Sequence, residues 1–248
     1  MRFSWRLILS LALIFFILIG SAPAHNVIAS SALPDESDLA FSATVGWEGM
    51  EAGGASVVTE DGAFWVIGST TSSYAGSSNY GPLGYHDVLV VRFSPEGNIT
   101  NTIFMGGSYE DYGIGIAAGP ENSVYITGYT WSSNFPTVNS ADGSFNGGNA
   151  DGFVAQFSAG GGLMFSTFLG GNDWDEVDDV AVRSDGTLAI TGATTSTDLR
   201  ANSDAADPSY NGYFDAFAAI LSSGGALQRL TYFGGSDAEF GRAIALGP

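Results

Sequence analysis

From residue 41 onward, apolar residues alternate with polar or small ones in runs of six to eight, and glycine-rich punctuation separates the runs. The clearest set predicts strands over 112–118, 123–130, 151–157 and 163–169, with turns at Pro120-Glu121-Asn122 and Gly160–Gly162. No window carries a helical period. The pattern also repeats. The glycine pairs that start at Gly106, Gly170 and Gly234 lie 64 residues apart, and so do Asp87, Asp151 and Asp215, each of which opens an apolar run. A third series, Val66-Ile-Gly-Ser-Thr70, Ile126-Thr-Gly-Tyr-Thr130 and Ile190-Thr-Gly-Ala-Thr194, follows at spacings of 60 and 64. Four short strands in a unit of about 60 residues predict the blade of a β-propeller, whose sheet packs face to face on its neighbours.

The expected fold is therefore all-β, a propeller of four-stranded antiparallel blades. Blades are expected at 53–105, 112–169 and 177–233, with partial blade strands at 41–46 and 240–246. Residues 41–248 hold about three and a quarter periods, whereas closed propellers use roughly four to eight blades. An incomplete propeller, read as a fragment of a larger protein, is the expectation.

Residues 1–24 have the layout of a secretory signal peptide: Arg2 and Arg6, an apolar stretch from Leu7 to Ile19, and the small-residue site Ala22-Pro23-Ala24. The apolar stretch is too short for a spanning helix of about 20 residues, so no membrane span is expected after cleavage. Residues 25–40 read as a flexible leader. The predicted address is secreted or cell-surface, and bacterial, because an exported chain without cysteine has no disulfides to rely on.

Composition narrows the function. With 26 acidic residues against seven arginines and no lysine, the net charge is −19. Nothing here could neutralise a phosphate backbone, so nucleic acid is excluded as a partner. The 35 glycines argue against a helical bundle.

The motifs Gly-Gly-x-x-x-[Asp/Glu], Gly-Ile-x-[Ile/Val]-Ala, Val-Tyr-Ile-Thr-Gly-Tyr-Thr, Asn-Phe-Pro-Thr and Asp-x-Phe-Val-Ala resemble the SBBP β-propeller repeats of bacterial exported proteins. They are fullest over Gly106–Thr137 and Asp151–Gly171, while the third copy replaces Asn-Phe-Pro-Thr by Asp198-Leu199-Arg200-Ala201. The resemblance implies a propeller, seven-bladed when complete, and an exported location. It supplies no catalytic residues.

Strand direction gathers the loops between blades, and the long loop from second to third strand, on one rim. That rim is predicted to carry Asp111, Trp131, Tyr210 and Glu239 as a ligand face, suited to a polysaccharide or a surface protein through ring stacking. Within Asn172–Asp179, the alternating acids Asp173, Asp175 and Glu176 are a candidate Ca²⁺ set, since calcium takes several hard oxygen ligands. For Asp111, Asp175 and Glu239 a structural role, accepting backbone N–H groups in a turn, is preferred over the metal and ligand readings. With no thiol and two histidines, His25 and His86, no catalytic constellation stands out. The chain is thus read as a non-enzymatic binding or scaffold module. The alternatives are a propeller glycosidase or lyase using rim carboxylates and a calcium-stabilised array without cofactor chemistry.

Overall fold

A computed structural model describes residues 30–31, 41–42, 50–72, 77–199 and 204–247. The predicted signal peptide lies outside the described residues, as do 43–46 of the first partial strand and most of the leader. Two short strands, β1 (Ser30–Ser31) and β2 (Phe41–Ser42), pair with each other. The pairing gives Phe41–Ser42 a partner other than the outer blade edge expected of it.

Three sheets follow. The first holds β3 (Glu51–Val58), β4 (Phe64–Thr70), β5 (Ser78–Tyr80), β6 (Asp87–Phe93) and β7 (Ile99–Met105). The second holds β8 (Asp111–Ala118), β9 (Val124–Thr130), β10 (Asp151–Phe157) and β11 (Leu163–Leu169), and the third β12 (Asp175–Val182), β13 (Leu188–Thr194), β14 (Asp215–Leu221) and β15 (Leu227–Phe233). Each is an antiparallel meander in chain order, apart from β5, which pairs parallel to the outside of β7. None closes into a barrel. They are successive propeller blades, all-β as the periodicity required, with bounds within two residues of those expected.

Every blade repeats the same irregularities. The first strand carries a bulge, at Gly53/Ser56, Gly113/Gly115 and Val177/Asp179, and the third-to-fourth pairing slips at Arg92/Phe93, Gln156/Phe157 and Ile220/Leu221. A bulge bends a strand and strengthens its twist, which fits neighbouring sheets to one another. The first strands β3, β8 and β12 approach one another in sequence while the fourth strands make no comparable approach, so the first strands are the inner ones.

Alternation along each strand sends successive side chains to opposite neighbours. Trp65, Ile67, Val88, Val90, Ile103 and Met105 of the first blade meet Ile116, Ile126, Phe153 and Phe157 of the second. The intervening residues of the second blade, Val154, Phe165 and Leu169, point the other way, onto Val177, Leu188, Ile190, Phe217 and Leu230 of the third. Each fully buried Phe or Leu contributes about 1.5–3 kcal/mol by leaving water.

The long loops between second and third strands differ from expectation. They do not simply project from the rim. They run down the outside of each blade and cover its fourth strand. In the first blade this is β5, whose Tyr80 hydroxyl also donates to Gly161 O (3.1 Å) and accepts from Leu163 N (3.2 Å) across to the second blade. In the second blade Val138 and Ser166 exchange backbone hydrogen bonds (3.2 and 2.8 Å) and Phe168 N donates to Asp142 O (3.1 Å). In the third, Tyr232 N donates to Asp207 O (3.0 Å).

The stretch 240–246, expected as a lone inner strand, is not one. It occupies the corresponding place against the third blade, with Gly241 N donating to Gly192 O (3.1 Å) and Ile244 N to Asp179 Oδ2 (2.8 Å). No neighbouring strand pairs with it among the described residues, and without a ladder it stays irregular.

Candidate functional site

Inner and third strands begin at one rim, and second and fourth strands end there. The rim is assembled from joints, and in those at Gly106 and Gly170 the first glycine of the Gly-Gly pair sits between two acids. A Cβ on Gly106 would fall 2.0 Å from Asp87 Oδ1 and 2.8 Å from Asp111 Oδ2. On Gly170 it would fall 2.9 Å from Asp151 Oδ1 and 3.0 Å from Asp175 Oδ2. Only glycine lets the carboxylates close in from both sides. The joint is locked by one backbone bond that recurs three times: Asp111 N to His86 O, Asp175 N to Ala150 O and Glu239 N to Phe214 O, each 2.8 Å.

The inner acid is held by its own turn and by the end of the second strand. Asp111 accepts from Thr130 Oγ1, Gly107 N (2.6 Å) and Ser132 Oγ (3.2 Å); Asp175 accepts from Thr194 Oγ1, Gly171 N (2.7 Å) and Ser196 Oγ (2.7 Å). Glu239 repeats the contact to Gly235 N at 2.9 Å. The third-strand acids accept one amide each: Asp87 from Gly84 N (3.0 Å), Asp151 from Asn146 N (2.7 Å) and Asp215 from Asn211 N (2.8 Å). The second oxygens of Asp151 and Asp215 are buried without a donor. Burial dominates their ionisation. It raises Asp111 and Asp151 to about 7 and Asp175 to about 6, with the facing acid of the joint adding to the rise at Asp111 and Asp151.

Asp173, Asp175 and Glu176 do not converge. Asp175 is turned into its own loop and Glu176, the next residue of β12, faces the other way toward Trp174 Nε1 (3.4 Å) and Arg242 (3.4 Å). Asp173 stays at the tip, near Asn149 Nδ2 (3.4 Å). Among the described residues no three acids or histidines are grouped to hold a metal ion.

Of the expected ligand face, Asp111 is buried in its turn. Tyr210 is half-buried, its ring 6.5 Å from Tyr232 and its hydroxyl donating to Tyr213 O (3.1 Å). Glu239 is half-buried against its loop, and Trp131 alone of the four stands exposed.

The residues that do shape the rim were mostly missed from the sequence. A row of rings crosses the three blades: His86 on Tyr112 (5.3 Å between centroids), Tyr112 on Tyr129 (5.1 Å), Tyr129 on Trp174 (5.3 Å) and Trp174 against Trp131 (6.0 Å). Every exposed Phe, Tyr or Trp among the described residues lies at this rim: Tyr85, Tyr109, Trp131, Tyr213, Phe233 and Phe240. The opposite rim holds the tight hairpins. The repeat offered one signal for this, since Tyr85 and Tyr213 lie two periods apart just before the third-strand acid.

Residues 101–136, from within β7 through the joint at Gly106-Gly107 to β9 and Phe135-Pro136, match a family model described as a beta-propeller repeat, SBBP. That segment is similar to the SBBP beta-propeller repeat. The matched SBBP segment straddles two blades, taking the outer strand of one, the joint, and the two inner strands of the next. The acid-flanked glycine pair therefore lies inside the repeat. The Asn134-Phe135-Pro136 end of the match has a packing role: Phe135 is buried 4.6 Å from Phe153 and 6.1 Å from Phe168, where it anchors the descending loop. No curated protein matches the chain.

Proposed function

We propose that this propeller repeat module is an exported, non-catalytic binding domain that holds a polysaccharide on its aromatic rim. The observation that carries the reading is the one-sided placement of the exposed rings, with Tyr85, Tyr109, Trp131 and Tyr213 at equivalent ends of the blades. Large amphipathic rings at a wet surface present apolar faces to sugar rings while their polar edges remain hydrated. The joint acids favour binding over hydrolysis. Asp111 and Asp175 each accept from three donors of the joint and the adjoining end of the second strand, which engages both as structural acceptors rather than as an acid and base across a glycosidic bond. Among the described residues no helix is long and apolar enough to cross a membrane.

The test is retention of the purified chain on a panel of insoluble neutral, acidic and amino glycans. Retention on at least one, lost when Tyr85, Tyr109 and Trp131 are replaced together by Ala, is expected. Failure on every glycan overturns the reading, and release of soluble products would reassign the chain to the carbohydrate-active alternative.

A further inference from the structure

The rim carries one worked case of cation binding. Arg242, on the irregular segment that follows the third blade, places its guanidinium 2.9 Å from Asp178 Oδ2 and 3.4 Å from Glu176 Oε1. The same guanidinium stands 4.6 Å from the ring of Phe240. Two carboxylates and an aromatic face are the elements by which proteins hold ammonium and guanidinium groups. Asp178 is the residue that the bulge in β12 sets out of register, and it is 96% buried. Its Oδ1 has no hydrogen-bond partner, so Arg242 satisfies only half of it.

The surroundings continue the theme. Trp174 Nε1 donates to Glu176 Oε2, Tyr129 stacks on Trp174, and Tyr112 stacks on Tyr129. Tyr129 is the electrostatic centre. Burial first, then Tyr112, Glu176, Glu110 and Asp178, push its hydroxyl up to about 12. Three carboxylates thus act on this phenol, and Trp174, which it stacks on, lies 6.0 Å from the exposed Trp131. Arg242 itself is only loosely covered, with 63% of its side chain exposed. It can be displaced without unpacking a blade.

We propose that the rim between the second and third blades selects the ammonium groups of an amino-sugar polymer, whose charge takes the place that Arg242 holds in the free chain. The proposal rests on the polysaccharide reading above and names the class of sugar. The sugar rings would lie on Trp131 and Tyr109 while an ammonium reaches Glu176 and Asp178. A neutral or acidic glycan gains nothing from those carboxylates, and an acidic one is repelled.

The experiment compares two hexasaccharides that differ in the amine alone, a glucosamine oligomer and its fully N-acetylated form, by calorimetric titration of the full chain at about pH 7. The free amine is expected to bind about tenfold more tightly or better, with the advantage shrinking as salt rises. Arg242→Ala is expected to tighten the glucosamine oligomer further, because it vacates the carboxylates, and to leave the acetylated form unchanged. Glu176→Gln is expected to narrow the gap. Circular dichroism melting of each variant checks that the blades stay folded, and the Arg242→Ala comparison needs no change inside a blade. Equal binding of the two oligomers, or an Arg242→Ala variant that folds and binds the amine no better, overturns the proposal while leaving the rim a neutral-sugar site. Binding of neither oligomer, with oligolysine bound instead, also overturns it, in favour of a basic peptide.

Discussion

Acid denaturation is the usual outcome of carboxylate protonation, but this chain should lose stability as the pH rises, and Asp151 is the place to measure the effect. Its carboxyl is fully buried, accepts one amide from Asn146, faces Asp175 across Gly170, and has Asp142 and Asp198 as further acidic neighbours. Burial and these charges raise it to about 7 in the folded chain, against roughly 3.9 when unfolded. Between those values the folded state keeps a proton that the unfolded state has released. The stabilisation is therefore complete below about pH 4 and is lost as pH climbs through about 7. The gap, at roughly 1.4 kcal/mol per pH unit, caps the effect at about 4 kcal/mol for this residue. Asp111, Asp175 and Asp178 act in the same direction. Asp151→Asn keeps the shape and removes the titration. Urea unfolding followed by tryptophan fluorescence at about pH 5 and pH 8 should place the wild-type midpoint lower at pH 8 by on the order of 1 M. The variant should show a smaller drop and exceed the wild type at pH 8. A wild type that is more stable at pH 8, or a variant with an undiminished drop, would refute the reasoning.

The other expectations are briefer. Gly170→Ala drives a methyl to 2.7 Å from Asp151 Cγ and should cost about 1–3 kcal/mol, whereas Gly224→Ala, with nothing within 4 Å, should stay within roughly 0.5; thermal melts distinguish them. Phe135→Ala empties the space against Phe153 and Phe168 and should cost about 3–5 kcal/mol in the same assay, with the loop over β11 gaining amide exchange. Because Asp173, Asp175 and Glu176 point apart, millimolar calcium should leave the melting temperature unchanged, and a rise of several degrees would restore the calcium-stabilised reading.

The blades were legible because their signals are local and repeated. Alternation set Asp151–Phe157 and Leu163–Leu169 to the residue, and the 64-residue period set the blade joints. The candidate site was harder to read, because its chemistry depends on which way a carboxylate turns. Asp175 and Glu176 are adjacent in sequence yet answer to different neighbours, one to Ser196 and Thr194, the other to Trp174 and Arg242. The ring row from His86 to Trp131 draws on five strand ends and loops in three blades, and no single window contains it. The path of the long loops was hidden for a similar reason. Val138 and Asp207 meet the fourth strand through backbone groups, which composition does not report.

Those descending loops give the molecule a direction of growth. A sheet edge with free amides and carbonyls invites sideways addition of strands from another chain. Here β5, Val138 and Asp207 occupy the outer edges, so lateral pairing is obstructed in all three blades. Contact of further β-structure is steered to the broad faces instead, where sheets stack through side chains. An assembly of such units can lengthen blade upon blade while resisting fusion into a continuous cross-chain sheet.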